Sequence, residues 1–485
     1  MGDNIKGKAF SGAIWKLLER FSAQGISLIV SIVIARILDP EDYSVVSIVA
    51  IYFTFANVFI TSGFNTALIQ KKNADSEDYS SALITSMFVS IVLYLLMFFT
   101  APIIAKIYKQ DILVHVIRIM GIALPITAFK SILCAYISSN LLFKKFFFAT
   151  IGGTIVSAIV GIWMALNGWG PWALVAQQMS NTTIDTLILW ITTKVRFCRK
   201  FSLERMKPLF QYSWKLFVAQ MIGTAYIEIN PLLIGMKYSG QDLAFYTKGR
   251  SFPHFMSTSL TSTLSSVLFP VLSKYQDSKD HLLKFTRLFI RVTSYIVFPM
   301  MISFLVVSDA FVSVVLTDKW LPASPYIKIF CLANMFDMIN MGNCETIKAM
   351  GRSDIYLKID IIKKTAYFAI IGIFLFFTNS PEMLAVSFIL CAAVAITVNS
   401  FPNRKLIGYH VKDQIMDVIP NLINSLIMGS CVFFVGKLFP NKLMCLITQI
   451  LAGIVIYIFI CSVTHNSSQK YLLETMKDFA RKVNK

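Results

Sequence analysis

Apolar positions along this chain come in long runs separated by short polar turns. Fourteen runs stand out, near 10–37, 43–69, 80–105, 113–141, 147–166, 171–193, 209–236, 243–272, 284–307, 325–349, 355–378, 382–402, 416–436 and 443–463. A run of about 18 or more residues with few charges is long enough, as a helix, to cross the hydrocarbon of a bilayer. The connections carry turn signals: Asp39-Pro40, Asn167-Gly168-Trp169-Gly170-Pro171, Gly351-Arg352-Ser353-Asp354, Asn379-Ser380-Pro381 and Pro440-Asn441. Asp75-Ser76-Glu77-Asp78 reads as a helix cap rather than a metal-binding acidic motif. The third, thirteenth and fourteenth runs look plainest and are expected to face lipid.

Composition agrees with this pattern. Apolar residues make up 56% of the chain and charged residues 15%, where a soluble globule is nearer a quarter charged. Mean hydropathy is +0.66. No cleavable signal peptide is expected, because Lys16, Glu19 and Arg20 interrupt the first run. Lys6 breaks the myristoylation pattern that Gly2 would open. The first helix should therefore remain as an anchor.

The formal net charge of +19 would suggest nucleic acid in a soluble protein. Here the basic residues crowd into alternate short loops, including Lys71, Lys72, Lys144, Lys145, Lys194, Arg196, Arg199, Lys200, Arg205 and Lys207. Roughly 25 lie on one side against roughly 7 on the other, so the basic side is read as cytoplasmic. Both termini are then inside, and no nucleic-acid partner is needed. The longest outer connection, about 309–324, holds Trp320 and is expected to lie in the interface.

Catalytic signatures are absent: no Walker A loop, no G-x-G-x-x-G, no G-x-S-x-G and no H-E-x-x-H. None of the eight cysteines pairs as C-x-x-C or sits near clustered His. We expect no enzyme activity, no cofactor, no metal and no disulfide. Any transport must then draw on an ion gradient, the membrane potential or the substrate's own gradient.

A weak internal repeat recurs after about 199 to 200 residues. Trp15-Lys16-Leu17 returns as Trp214-Lys215-Leu216, and Pro40-Glu41-Asp42-Tyr43 aligns with Gly240-Gln241-Asp242-Leu243. Six runs separate the two starts, so the repeats share one orientation, as in two-lobed transporters. The expected fold is an all-α polytopic membrane protein of about fourteen transmembrane helices. It divides into a lobe of six spans over 1–207, a pseudo-symmetric lobe of six over 208–412, two additional spans over 413–463, and a cytoplasmic tail over 464–485.

Polar residues inside the runs cluster in the first two spans of each repeat. Span 1 carries Arg20, Gln24, Ser27 and Ser31; span 2 carries Thr54, Asn57, Thr61 and Asn65. Span 7 carries Gln220, Thr224 and Glu228 before an expected break at Asn230-Pro231. Span 8 carries Thr247, Ser251, His254, Thr258, Thr261 and Ser265. Each set falls on one helical face. Ser and Thr often serve as helix–helix glue, but four corresponding stripes, with Arg and Glu among them, favour one aqueous cavity shared by the lobes.

Cations dominate near that cavity: Arg20, Lys130, Lys215, Lys248 and Arg250, against Asp185, Glu228, Asp337 and Glu345. Such an excess suits an anionic ligand. Lys215 and Lys248 could alternatively snorkel to the interface, and Arg20 could pair with a buried acid. We expect Arg20, Gln24, Asn57, Thr61, Lys130, Lys215, Lys248, Arg250, His254, Thr258 and Thr261 to line the substrate cavity. Glu228, Asp337 and Glu345 are the candidates for ion coupling.

Several stretches resemble the polysaccharide transporter family of the multidrug, oligosaccharidyl-lipid and polysaccharide exporter superfamily, in particular its lipopolysaccharide and exopolysaccharide flippases of the colanic-acid exporter type. They are Ala35-Arg36-Ile37-Leu38-Asp39-Pro40-Glu41-Asp42-Tyr43, Ser62-Gly63-Phe64 with Ala67-Leu68-Ile69-Gln70-Lys71-Lys72, Trp172-Ala173-Leu174-Val175-Ala176-Gln177-Gln178, Leu268-Phe269-Pro270-Val271-Leu272-Ser273, Lys319-Trp320-Leu321-Pro322-Ala323 and Met350-Gly351-Arg352-Ser353-Asp354. Ser44 stands where the family has Gly. The resemblance implies two rocking six-helix lobes in a bacterial inner membrane. It also implies a polyprenyl-diphosphate-linked oligosaccharide as cargo, with a polysaccharide polymerase and glycosyltransferases as partners alongside membrane lipids. The alternatives are a cation-coupled drug exporter of the same superfamily, which would want acids in its cavity, and a membrane polymerase or ligase, which would want a large outer loop.

Overall fold

The structure, a computed structural model, describes residues 2–61, 64–71, 74–140, 142–195, 197–198 and 200–483. Ser62, Gly63, Lys72, Arg196 and Arg199 of the sequence reading lie outside the described residues, as does the side chain of Lys6. The described residues fold into α-helices joined by short turns. They form two compact units, Met1–Ala244 and Phe245–Lys485.

The first unit contains α1 (Gly2–Ile37), α2 (Pro40–Thr61), α3 (Phe64–Gln70), α4 (Ser76–Tyr108), α5 (Ile112–Gly121), α6 (Ala123–Ser139), α7 (Phe143–Leu166), α8 (Pro171–Thr193) and α9 (Leu203–Lys237). The second contains most of α10 (Gly240–Lys274), then α11 (Lys279–Phe311), α12 (Ser324–Asn334), α13 (Asp337–Ala349), α14 (Ser353–Phe377), α15 (Pro381–Leu406), α16 (Val411–Gly436), α17 (Lys442–Val463) and α18 (Ser467–Val483). Each of the fourteen apolar runs falls on one helix or on a consecutive pair. Among the described residues, ten segments are long and apolar enough to cross a membrane, so this is a multi-pass membrane protein. The segments that fall short, such as α10 and α14, carry more polar and charged residues.

Both repeats break the same helix. The run 113–141 divides between α5 and α6 around Ile122, and the run 325–349 divides between α12 and α13 around Met335-Phe336. The turns that open α2 and α10 also match. Asp39 N–H donates to Asp42 Oδ2 at 3.1 Å, and Ser239 N–H donates to Asp242 Oδ2 at 3.1 Å. In each, a carboxylate three residues on satisfies a backbone donor at the helix start.

The acidic stretch before α4 is a cap. The Asp75 carboxylate accepts from the backbone N–H of Glu77 at 3.1 Å and Asp78 at 2.9 Å. Asp78 returns the bond by accepting from Asp75 N–H at 3.1 Å. Arg205, just inside α9, lies 2.6 Å from Asp75, 3.1 Å from Glu77 and 3.3 Å from Asp78. The N–H groups of Cys198 and Ser202 donate to Ser80 and Ser81 of α4. These bonds help tie α9 into the first unit, where it packs on α2, α3 and α4.

Three expectations need correction. The break at Asn230-Pro231 does not occur: α9 runs through Pro231 to Lys237, as membrane helices tolerate an internal Pro when neighbours compensate. Trp320 does not present its ring at the surface, as a residue lying in the interface would. A 3-10 turn, Asp318–Ala323, folds it fully inside the second unit, its ring 6.0 Å from that of Phe245. The thirteenth run is not plain. Gln414, Asp417, Asn421, Asn424 and Ser425 make a buried polar face on α16. Asn421 bonds the Arg291 carbonyl and Ser294 of α11. Gln414 bonds Asn343 of α13 and Ser400 of α15. The fourteenth run uses Gln449 likewise, bonded to the Val432 carbonyl.

Candidate functional site

Polar stripes on spans acquire meaning from where their hydroxyl protons go. In the first unit, Thr54 donates to the Ala50 carbonyl at 2.8 Å and Thr61 to the Asn57 carbonyl at 2.7 Å. In the second, Ser251 donates to Lys248, Thr258 to His254 and Thr261 to Ser257, always at backbone carbonyls of α10 itself. Such back-bonding satisfies the donor within its own helix and leaves oxygen lone pairs outward. These five hydroxyls are therefore not glue between helices. None of the five residues is fully buried, and Thr61 and Ser251 are exposed.

A cavity of about 210 Å³ in the first unit collects several of these groups. Thr54 and Asn57 of α2, Thr127 of α6, and Gln178 and Thr182 of α8 line it. Thr127 and Thr182 also donate to their own helices. The Asn57 carbonyl oxygen is buried and accepts no hydrogen bond among the described residues. The lining is neutral and rich in acceptors, which suits a ligand that presents hydroxyl donors.

The other expected residues of this unit divide. Arg20 is exposed on α1 and forms no ion pair among the described residues; Gln24 is half-buried one turn on. Lys130 is committed, its ammonium 2.5 Å from the buried Asp185. Lys215 is exposed on α9, and Glu228 is half-buried.

In the second unit Lys248 is buried, with its ammonium 5.7 Å from the Trp320 ring centroid and 6.0 Å from that of Phe252. Aromatic faces there take the place of water around the charge. The Arg250 guanidinium lies 5.9 Å over Phe388. His254 is exposed. Asp337 opens α13 and accepts from the Ser257 hydroxyl at 2.5 Å. Glu345 is buried and pairs with Lys348 at 3.1 Å.

Two groups were missed in the sequence. On α14, Lys364 lies 2.9 Å and Lys363 3.7 Å from Asp360. The spacing i, i+3, i+4 inside an apolar run was the available signal. The second is a polar corner of the first unit, where the α1–α2 and α9–α10 turns meet. Gln241 Nε2 donates to Glu41 Oε1 at 2.5 Å. Gly240 fits there because a Cβ would lie 2.7 Å from Gln110 Nε2 and 3.0 Å from Ser44 Oγ. Ser44 itself donates to the Glu41 carbonyl and accepts from Gln110. A cavity of about 650 Å³ opens beside it, lined by Glu41, Asp42, Lys109, Gln110 and Lys237 among others.

Known proteins share this sequence pattern and fold. The family described as polysaccharide biosynthesis protein matches residues 33–325. The succinoglycan biosynthesis transport protein ExoT of Rhizobium meliloti is 21% identical, over 96% of this chain and 94% of its own. The lipopolysaccharide biosynthesis protein WzxC of Escherichia coli is 22% identical over 74% of each chain. Among solved structures, the lipid II flippase MurJ in an inward closed conformation aligns with a TM-score of 0.77 at 16% identity, over 93% of this chain and 99% of its own. An inward-facing multidrug transporter of the MATE family aligns at 0.57 and 10% identity, over 79% and 94%. These structural likenesses are of fold. The family match spans more than half of the sequence, and the chain belongs to the polysaccharide biosynthesis protein family.

Proposed function

We propose that this protein is a flippase for a polyprenyl-diphosphate-linked oligosaccharide, the repeat unit of a lipopolysaccharide or exopolysaccharide. It moves the unit from the cytoplasmic to the periplasmic leaflet of a bacterial inner membrane by alternating access. The observation that carries this reading is family membership together with similarity, over nearly the whole chain, to a protein named as a polysaccharide transport protein. The basic loops support two cytoplasmic termini. A glycosyltransferase would supply the cargo inside and a polymerase would consume it outside. The protein itself has no bond to make or break.

The chemistry of the cargo fits the residues. A diphosphate carries about two negative charges and cannot enter hydrocarbon unpaired. Arg20 and Arg250 supply guanidinium forks that stay charged at any working pH. Lys215 steers the headgroup from an exposed position. Lys130 and Lys248 are held by the protein and contribute only to the local potential. Gln24, Asn57, Thr61, His254, Thr258 and Thr261 offer hydroxyl, amide and imidazole groups to sugars. For ion coupling, Glu345 is already paired and Glu228 is half-buried. Asp337, which has no cationic partner among the described residues, is the acid we assign.

The test is surface polysaccharide in a flippase-null host that makes the matching repeat unit, normalised to protein in the membrane. Wild type restores polymer. Arg20→Lys loses less than Arg20→Ala, and Arg20→Glu abolishes export while the protein stays in the membrane. Failure of well-expressed wild type to restore polymer overturns the flippase reading.

A further inference from the structure

The start of α14 carries five charged side chains within 353–364: Asp354, Lys358, Asp360, Lys363 and Lys364. Lys363 lies ten residues beyond Ser353, about 15 Å along the helix axis. The buried residues of α14 are Ile359, Tyr367 and Ile371. Asp360 and Lys363 share that face, at helical spacing with Tyr367, while Leu357, Ile361, Ile362 and Phe376 are exposed elsewhere. The lysines therefore lie toward the packed face of α14. Their side chains keep only 19% and 22% of their surface open.

The charges do not balance. Lys364 pairs with Asp360 at 2.9 Å, and Lys363 reaches the same carboxylate only at 3.7 Å. No hydrogen bond to the Lys363 ammonium occurs among the described residues. On the preceding helix Lys348 pairs with Glu345 and lies 4.7 Å over the Tyr356 ring of α14. Three lysines thus face two acids, leaving one positive charge in excess. A half-buried ammonium with donors unused calls for an anion.

The same interior face leads to Arg250. Its guanidinium covers Phe388, whose ring is 5.5 Å from that of Tyr367, one turn along α14 from Lys363. We propose that Lys363 and Lys364, with Lys348 behind them, form a second anion site in the C-terminal unit, one that takes the phosphate-bearing headgroup of the lipid carrier. This site deepens and rests on the flippase reading. Lysines suit it as mobile point charges that hold phosphate without the rigid fork of arginine. A headgroup that must be released again gains from that looseness.

The experiment uses the full chain in nanodiscs, with undecaprenyl diphosphate, undecaprenol and inorganic pyrophosphate as probes. Affinity is read by titration against thermal stability. Lys363→Gln/Lys364→Gln should weaken the diphosphate lipid by about tenfold or more, leave undecaprenol unchanged and keep the unliganded unfolding midpoint. Lys363→Arg/Lys364→Arg should retain binding. Lys358→Gln, exposed on another face of α14, should bind as wild type. A folded double Gln variant with wild-type affinity overturns the site. Pyrophosphate bound as tightly as the lipid overturns the headgroup assignment in favour of a soluble anion. In the null host, wild type restoring polymer while the double Gln variant also does so refutes this site alone. Failure of wild type itself refutes the flippase reading, and the titration still decides the site.

Discussion

Asp417 is the residue whose loss should be felt most in the second unit. Its carboxylate is 2% exposed and meets both arginines of α11. Arg287 donates from Nε at 2.7 Å and from Nη2 at 3.0 Å, Arg291 donates from Nε at 2.7 Å, and the Tyr409 hydroxyl donates at 2.8 Å. Asp417→Ala leaves these donors facing a cavity. Breaking a fully buried pair costs about 3–5 kcal/mol. Both arginine side chains are 38% exposed, so water recovers part of the loss, and about 2–3 kcal/mol is expected. At about 2–4 °C per kcal/mol for a unit of this size, the apparent midpoint should fall by about 4–12 °C. Asp417→Asn keeps an acceptor for Tyr409 and should lose about half as much. The assay is thermal unfolding of purified protein in detergent, followed by tryptophan fluorescence. A midpoint for Asp417→Ala within about 1 °C of wild type would refute the reasoning, since it would mean the arginines are solvated without their acid.

Other outcomes follow from single positions. Gly249→Ala places a Cβ 2.6 Å from Tyr326 Cβ and 2.7 Å from the Ala323 carbonyl; the backbone must shift, and a loss of about 1–3 kcal/mol should appear as reduced protein in the membrane. Cysteines at Asn57, Thr61, Thr258 and Thr261, in a background without native cysteines, should react with a polar thiol reagent in intact membranes; protection at all four would remove the cavity. Asp75 is held below its ordinary value of 3.8 by the Asp78 backbone N–H and by Arg205. Its folded value is depressed, so the cap's electrostatic contribution is complete above the unfolded value and disappears as pH falls through the folded one. The midpoint difference between wild type and Asp75→Asn should be constant at neutral pH and shrink below about pH 4; a difference that persists at low pH would place the effect elsewhere.

The helices could be read along the chain because the bilayer demands uninterrupted apolar length, a property of consecutive residues. The caps could be read because Asp75 and Asp78 act across three residues. The repeat survived in Trp15-Lys16-Leu17 and Trp214-Lys215-Leu216, and the structure extends it to the broken helices α5–α6 and α12–α13. What escaped was any property that depends on which helices meet. The span of α16 looked apolar because its polar residues are outnumbered. Yet Gln414, Asp417, Asn421 and Asn424 recur at three- and four-residue intervals, and that face meets α11, α13 and α15. Pro231 looked like a break because the residue alone disfavours a helix, whereas packing decides whether the helix continues.

Asp417 and Asp360 mark the boundary between the two kinds of information. Each is one acid with two basic neighbours. At Asp417 the bases are arginines brought from another helix, aligned as forks on both carboxylate oxygens, with a tyrosine completing the set. That carboxylate is saturated, and its work is to hold α16 against α11. At Asp360 the bases are lysines of the same helix, one paired at 2.9 Å and one standing off at 3.7 Å. Asp360 neutralises one of the two ammonium charges and leaves Lys363 without a hydrogen bond, so part of the charge on α14 is left for something else. Saturation is the mark of a structural pair, and an ammonium that its acid leaves without a hydrogen bond is the mark of a place where a ligand completes the set. The geometry of the two sets assigns the anion to Lys363 and Lys364.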